Sequence, residues 1–100
     1  MRDKSIIADL NKVFDSRIRL GIMSILIVND SYDFNGFKET LHVTDGNLAS
    51  HLKALEEKGL IHVNKQFIGR KPNTAYIITE QGNMLFKKHL KALEELLKTQ

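Results

Sequence analysis

The sequence predicts a mainly α fold carrying one small antiparallel β-hairpin, and three observations predict it. Apolar residues recur at helical spacing over residues 6–14, 18–27, 34–41, 48–55 and 85–97. Only residues 61–78 break that period. There β-branched and aromatic residues flank Gly69 and Pro72, as expected of two strands and a turn. Helix-starting hydroxyls, Ser16, Thr44 and Thr79, stand just before three of the helical runs. The layout is that of a winged helix-turn-helix with a long C-terminal helix.

A first helix is expected over 3–14, with Ile6, Ile7, Leu10, Val13 and Phe14 on a broad apolar face. Asp15 and Ser16 restart the chain. The second helix, to about Val28, is apolar nearly all round and should lie at the centre of the core. Gly21 in its middle costs about 1 kcal/mol relative to alanine, and close approach of a neighbouring helix would account for it. Residues 29–33 are polar and turn-prone. A short third helix over 34–42 has Phe34, Phe37 and Leu41 three and four apart, and Val43 and Thr44 connect it to a helix over 45–58. A short helix, a tight turn and a longer helix make the helix-turn-helix unit, about 34–58. Leu48, Leu52 and Leu55 form the buried stripe of its second helix, and Gly59 stands where that helix would end in the left-handed conformation. The strands of the wing, about 61–78, follow around a basic glycine-proline turn. Thr79 then caps a helix over 80–98 in which Phe86, Leu90, Leu93 and Leu97 make a short coiled-coil seam, widened by Leu85, Ala92 and Leu96. At about 1.5 Å per residue this helix is roughly 28 Å long, against a radius of gyration of about 13 Å for a compact domain of this size. Its last turns should therefore project. Leucines on a projecting helix call for a partner, and the terminal helices, 3–14 and 80–98, are expected to form a two-fold dimer through Ile6, Leu10, Phe86, Leu90, Leu93 and Leu97. The alternative is that the last helix folds back over the first within one chain.

The totals bound the function. One hundred residues with 42% hydrophobic content fit a single domain, 1–100, with a real core. The chain has no cysteine, which removes disulfides, thiolate metal sites and cysteine nucleophiles and suits a reducing cytoplasm. No apolar run reaches the about 20 residues needed to span a bilayer, and the first ten residues do not read as a signal peptide. The four histidines, His42, His51, His62 and His89, lack ligand spacing. Residues 31–42 echo a calcium loop, but Ser31 and His42 stand where its outer ligands belong. No nucleophile-base pair, phosphate-binding glycine loop or paired acids appear, so neither catalysis nor a cofactor is expected.

Net charge is only +3, but its distribution is informative. Lys58, Lys65, Arg70 and Lys71 lie in a stretch, Lys58 to Thr79, with no Asp or Glu. A local positive field on a loop is the electrostatic footprint of phosphate contact. With Leu48, Leu52 and Leu55 buried, the second helix of the helix-turn-helix turns Thr44, Asp45, Gly46, Asn47, Ser50, His51, Lys53 and Ala54 outward or to its flanks. Asn47 can pair with adenine, Ser50 can meet a base edge or phosphate, and Lys53 suits phosphate. Gly46 would let backbone approach a phosphate at the helix N-terminus. His51, beside the buried stripe, is equally suited to packing and to DNA contact. Lys65, Arg70 and Lys71 would place the wing on the backbone or in the minor groove. Without an arginine facing the groove, direct readout should be modest.

Three stretches carry a family resemblance: SRIRLGIMSIL, FNGFKETLHVTDGNLASHLKALEEKGLI and FIGRKPNTAYIITEQG, together most of residues 16–82. They resemble the MarR/ArsR-like winged helix-turn-helix transcriptional regulators, and most closely the small single-domain winged-helix DNA-binding group. The resemblance implies a homodimeric, sequence-specific regulator that binds double-stranded DNA, with dimer contacts through the terminal helices. The chain departs from its relatives in three respects. Many carry arginine where Ser50 stands, so their base contacts do not transfer. Metal-sensing relatives use cysteine-rich sites absent here. Larger relatives have longer terminal helices that frame a ligand pocket. Two other readings fit the residues: a protein-protein interaction module using the C-terminal leucines, and a sensor holding a small-molecule effector at its dimer interface.

Overall fold

A computed structural model describes residues 7–98. Its elements run α1 (Arg17–Leu26), β1 (Tyr32–Asp33), α2 (Phe34–Leu41), α3 (Asp45–Glu57), β2 (Ile61–Ile68), β3 (Lys71–Ile78) and α4 (Glu80–Lys98), preceded by one 3-10 turn at Lys12–Phe14. The sheet is antiparallel, in the order β1-β3-β2. This is the winged-helix architecture the sequence predicts, with its long C-terminal helix.

Each helix begins on a residue that satisfies its free backbone donors. The side chains of Ser16, Asp33 and Thr44 accept from Ile18 and Arg19, Gly36 and Asn47 respectively. α3 ends on Gly59 at φ +75°, with the Leu60 N–H returned to Leu55 O and the Gly59 N–H to Glu56 O. Side chains from every helix, from the 3-10 turn and from β2 and β3 meet in one core: Phe14, Ile22, Met23, Leu26, Phe37, the stripe Leu48, Leu52 and Leu55, then Leu60, Ile61, Tyr76 and Phe86. Gly21 does face a neighbouring helix, since a Cβ there would meet a methyl of Leu41 on α2 at 2.7 Å.

The junction between sheet and α4 is tighter. Thr79 Oγ1 donates to Gly59 O at 2.7 Å and accepts the Gly82 N–H at 2.9 Å, while the Thr79 N–H donates to Leu60 O. One residue thus caps α4 and ties it to the end of α3. Gly82 lies against the Leu60 carbonyl so closely that a Cβ would sit 2.0 Å from its oxygen.

Three expectations are corrected. Within residues 7–14 there is no α-helix: residues 7–9 form a turn and Lys12–Phe14 the 3-10 turn. Asn11 interrupts the helical pattern. Its side chain caps Val13 N–H, and its own N–H donates to His89 Nδ1 at 3.0 Å instead of to a preceding turn. The polar stretch before α2 contains strand β1, whose Tyr32 and Asp33 pair with Tyr76 and Ala75. Pro72 lies inside β3, opposite Phe67, and the turn is Gly69-Arg70 alone. Proline is tolerated there because β1 stops at Ala75, leaving that edge of β3 unpaired among the described residues.

The molecule is elongated, 59 × 25 × 21 Å, with a radius of gyration of 15.3 Å. α4 does lie against the chain's own N-terminal segment on one face, where Phe14 packs edge-on against Phe86 and His89 and Asp9 pairs with Lys88. Phe86 is 0% exposed. It belongs to the core of its own chain and has no surface to offer a second one. Leu90, Leu93 and Leu97 remain on the exposed face, Leu97 at 76%. Leu10 is half-buried, and Ile6 lies outside the described residues.

Two predictions follow from these packing facts. Gly82→Ala should destabilise the fold by at least about 3 kcal/mol, the upper end of overpacking costs, because backbone must move; urea midpoints measure it. The second concerns His89, 4% exposed between two phenylalanine rings. Burial lowers its pKa from 6.5, against a smaller opposing pull from Asp15. The unfolded chain therefore binds a proton that the folded chain resists. Stability is full above 6.5 and declines as pH falls from there toward the folded value. His51, shifted the same way, adds to the slope. Urea midpoints should fall on acidification below 6.5, and His89→Gln should flatten that slope without abolishing it.

Candidate nucleic-acid interface

The leucine stripe fixes which face of α3 meets solvent. Thr44, Asp45, Gly46, Asn47, Ser50 and Lys53 are exposed, while His51 and Ala54 are half-buried on the flank. At 100° per residue, Gly46, Ser50 and, at the C-terminal end, Glu57 project most directly away from the stripe, with Lys53 and Ala49 to one side and Ala54 and Asn47 to the other. The N-terminal half of the outermost strip, Gly46 and Ser50, is thus short and smooth. Gly46 has open space around it, with nothing within 4 Å of where a Cβ would stand, so its lack of a side chain is not a packing requirement of the fold.

Two of these residues have other partners. Asp45 is ion-paired with Lys38 of α2 across the helix-turn-helix. The pair is exposed and contributes little to stability, but it holds the acid beside a neutralising cation. His51 accepts a hydrogen bond at Nδ1 from Arg19 Nε of α1 at 2.9 Å. Burial and then the Arg19 charge lower its pKa, which keeps the ring neutral and the acceptor intact. His51 therefore positions α3 against α1. Arg19 also reaches Val13 O at 3.4 Å, so one guanidinium ties the N-terminal turn, α1 and α3 together.

Between α3 and the wing runs a cleft lined by Ala49, Lys53 and Glu56 on the helix side and Lys65, Thr74 and Tyr76 on the strand side. Lys53 and Lys65 face a common space across it. The wing then extends past β1 as a two-stranded ribbon. Gly69 takes φ +64° at the first turn position, the geometry of a type II′ hairpin turn. Arg70 occupies the second position, and Lys71 pairs with Ile68 at the start of β3. All three wing cations are exposed.

The structure brings together residues that sequence reading kept apart or missed. Arg17, on the first turn of α1, shares a depression with Thr44 and Asn47 at the start of α3. Its signal was its exposed place in the SRIRLG stretch, a cation on the first helical turn, but only the fold reveals which helix end it meets. Arg19 could not be told from Arg17 by spacing. Strand spacing alone did not show that Phe67 and Ile68 would be exposed at the wing tip, because it does not say where the ribbon outruns the core.

Comparison with known proteins gives a consistent picture. Residues 18–97 match the model of the family described as winged helix DNA-binding domain. The chain is 38% identical over 87 residues, 87% of its own length and 95% of the relative's, to the uncharacterized protein MJ0432 of Methanocaldococcus jannaschii. It is similar to the transcriptional regulator homologue from Pyrococcus horikoshii OT3, with 32% identity and a TM-score of 0.76 over 91% of this chain and 95% of the other. It also shares its fold with MarR, at 20% identity and a TM-score of 0.73 over 90% of this chain and 65% of that one.

The wing cations generate the next prediction. Arg70→Ala with Lys71→Ala should weaken binding to all duplexes and flatten the dependence of log affinity on log salt by up to about 2 units. Fluorescence anisotropy across a salt series measures it; an unchanged slope would show that the wing does not touch phosphate.

Proposed function

The chain belongs to the winged helix DNA-binding domain family, and from that premise we propose that it is a sequence-specific, double-stranded DNA-binding transcriptional regulator acting as a homodimer in the cytoplasm. The observation that supports this best is that the outer strip of α3 and the three wing cations are all exposed, and that one cleft, lined by Lys53 and Lys65, joins α3 to the wing. In this reading α3 enters the major groove with Asn47 and Ser50 toward base edges and Lys53 toward phosphate. Gly46 lets backbone N–H groups at the helix start approach a phosphate. Arg70 and Lys71 follow the backbone into the adjacent minor groove.

The dimer rests on a second observation. Leu90, Leu93 and Leu97 stay exposed although α4 already covers its other face with Phe14 and the core. Leucines in a row on a projecting helix gain from pairing with the same row on a second copy, and a two-fold contact brings i to j and j to i without further design. With Phe86 committed to its own core, the surface for that contact is the leucine row and Leu10, with Ile6 as a further candidate. A second copy also doubles a contact set that is small for one chain.

Selection of duplexes from a random library at low salt tests the reading. The expected result is an enriched inverted repeat with half-sites about one helical turn apart, and light scattering at tens of micromolar should give a dimer mass. A monomer at that concentration sinks the dimer. No enriched sequence, with binding that vanishes at moderate salt, would leave only nonspecific charge attraction and favour a role of the C-terminal leucines in binding another protein.

A further inference from the structure

The wing tip carries more than phosphate binding requires. Three cations would hold a backbone, yet the same tip exposes two large apolar side chains, Phe67 at 73% and Ile68 at 63%. They lie on opposite faces of the ribbon, because successive strand residues alternate. Phe67 pairs directly with Pro72, so the two rings share one face and make a blunt apolar end. The ribbon beneath them is stiff: an eight-residue register joins β2 to β3, a two-residue turn closes it, and proline fixes its own φ. Lys65 lies on the same face two residues behind, and Arg70 and Lys71 flank the tip. No acid occurs from Lys58 to Thr79. An apolar tip whose charged neighbours are all cations is matched by a partner that is polyanionic outside and apolar between its layers, which describes stacked base pairs between phosphate backbones.

We propose that Phe67, backed by Pro72, is a wedge that the wing presses into a base step from the minor groove, partly unstacking it and bending the duplex. The inference rests on the DNA-binding reading above and adds a mode of recognition to it. Lys65, Arg70 and Lys71 hold the flanking phosphates while the apolar end enters. Phenylalanine, isoleucine and proline are side chains that unstack steps in this way, and the cost of unstacking is offset when the bent duplex meets more protein. Pyrimidine–purine steps open most readily. The wedge therefore selects sequence at a position where no side chain reads a base edge, and it supplies discrimination that an α3 without groove-facing arginine lacks.

The test uses the whole chain and duplexes of about 30 base pairs carrying donor and acceptor dyes at their ends, with a TA step or an AA step where the wing falls. Low-salt binding by the natural chain should raise energy transfer, more for the TA duplex. Phe67→Ala, a surface change whose fold is checked by circular dichroism, should bind within about tenfold and leave the duplex straight. Arg70→Ala with Lys71→Ala should lose affinity instead. A straight complex with the natural chain, or a Phe67→Ala complex bent as before, overturns the wedge and leaves DNA binding standing. Failure of the natural chain to bind any duplex overturns the DNA reading itself, and the wedge with it. A Phe67→Ala chain that changes oligomeric mass while bending is unaltered assigns the tip to a protein contact and overturns the wedge.

Discussion

The burial of three leucines on α3 sets the terms for everything else in the molecule. Leu48, Leu52 and Leu55 are almost wholly removed from water, each such side chain contributing about 1.5–3 kcal/mol. A helix that must bury one stripe has no freedom to rotate, so the strip bearing Gly46, Ser50 and Lys53 is held outward by apolar burial and not by any polar contact of its own. That separation leaves the outer strip unconstrained by the fold. A surface residue there can change without cost to stability, which is what a recognition surface needs.

The rest of the structure holds that helix in place from its two ends and one side. At its start Thr44 caps it, and the Lys38–Asp45 pair joins it to α2. At its end Gly59 and Leu60 accept Thr79, so the C-terminus of α3 and the N-terminus of α4 share one hydrogen-bonded corner. From the side, Arg19 reaches His51. The same arginine touches Val13 O, and the segment holding Val13 is anchored through Asn11 to His89 on α4. A continuous set of polar contacts thus joins the helix that carries the exposed leucines to the helix that carries the outer strip. Both histidines in it act as neutral acceptors, and burial favours that neutral state in each.

What the sequence made legible follows from which forces are local. Caps, glycine stops and the 3.6-residue period depend on neighbours a few positions away, so α1, α2, α3, the hairpin and α4 could be read nearly to their ends, and Gly21 could be matched to a close neighbour. Apart from the misplaced turn residue Pro72, the failures are non-local. Residues 7–14 have a good apolar pattern for a helix, but a bond from Asn11 to a histidine 78 positions away outweighs it. β1 is two residues long and exists only because β3 offers an edge. Phe86 has the spacing of a seam residue, yet the side of the seam nearest the sheet falls inside the core, and period alone cannot say where a core ends. The site divided in the same way. The outer face of α3 and the wing charges were readable from period and charge, whereas the neighbours Arg17 and Arg19 became visible only when α1 was placed beside α3.

The apparent weakness of the α3 surface and the shape of the wing are two sides of one arrangement. An outer strip of Gly46, Ser50 and Lys53, flanked by Asn47, carries few groups able to grip a base bidentately, whereas a groove-facing arginine on guanine discriminates by about 1–3 kcal/mol. In the proposed binding mode such a strip has a compensating property: it would let the helix backbone lie close to the duplex, and close approach would bring the wing down as well. The eight-pair ribbon fixes the distance from helix to tip, so in that proposal seating α3 deeply would drive Phe67 and its cationic rim toward the next groove. In that geometry small side chains on the helix and a large one on the wing are coupled choices. Enlarging the outer strip would lift the domain and withdraw the tip, so under the proposed mode the bland start of α3 is the condition for the wing to act.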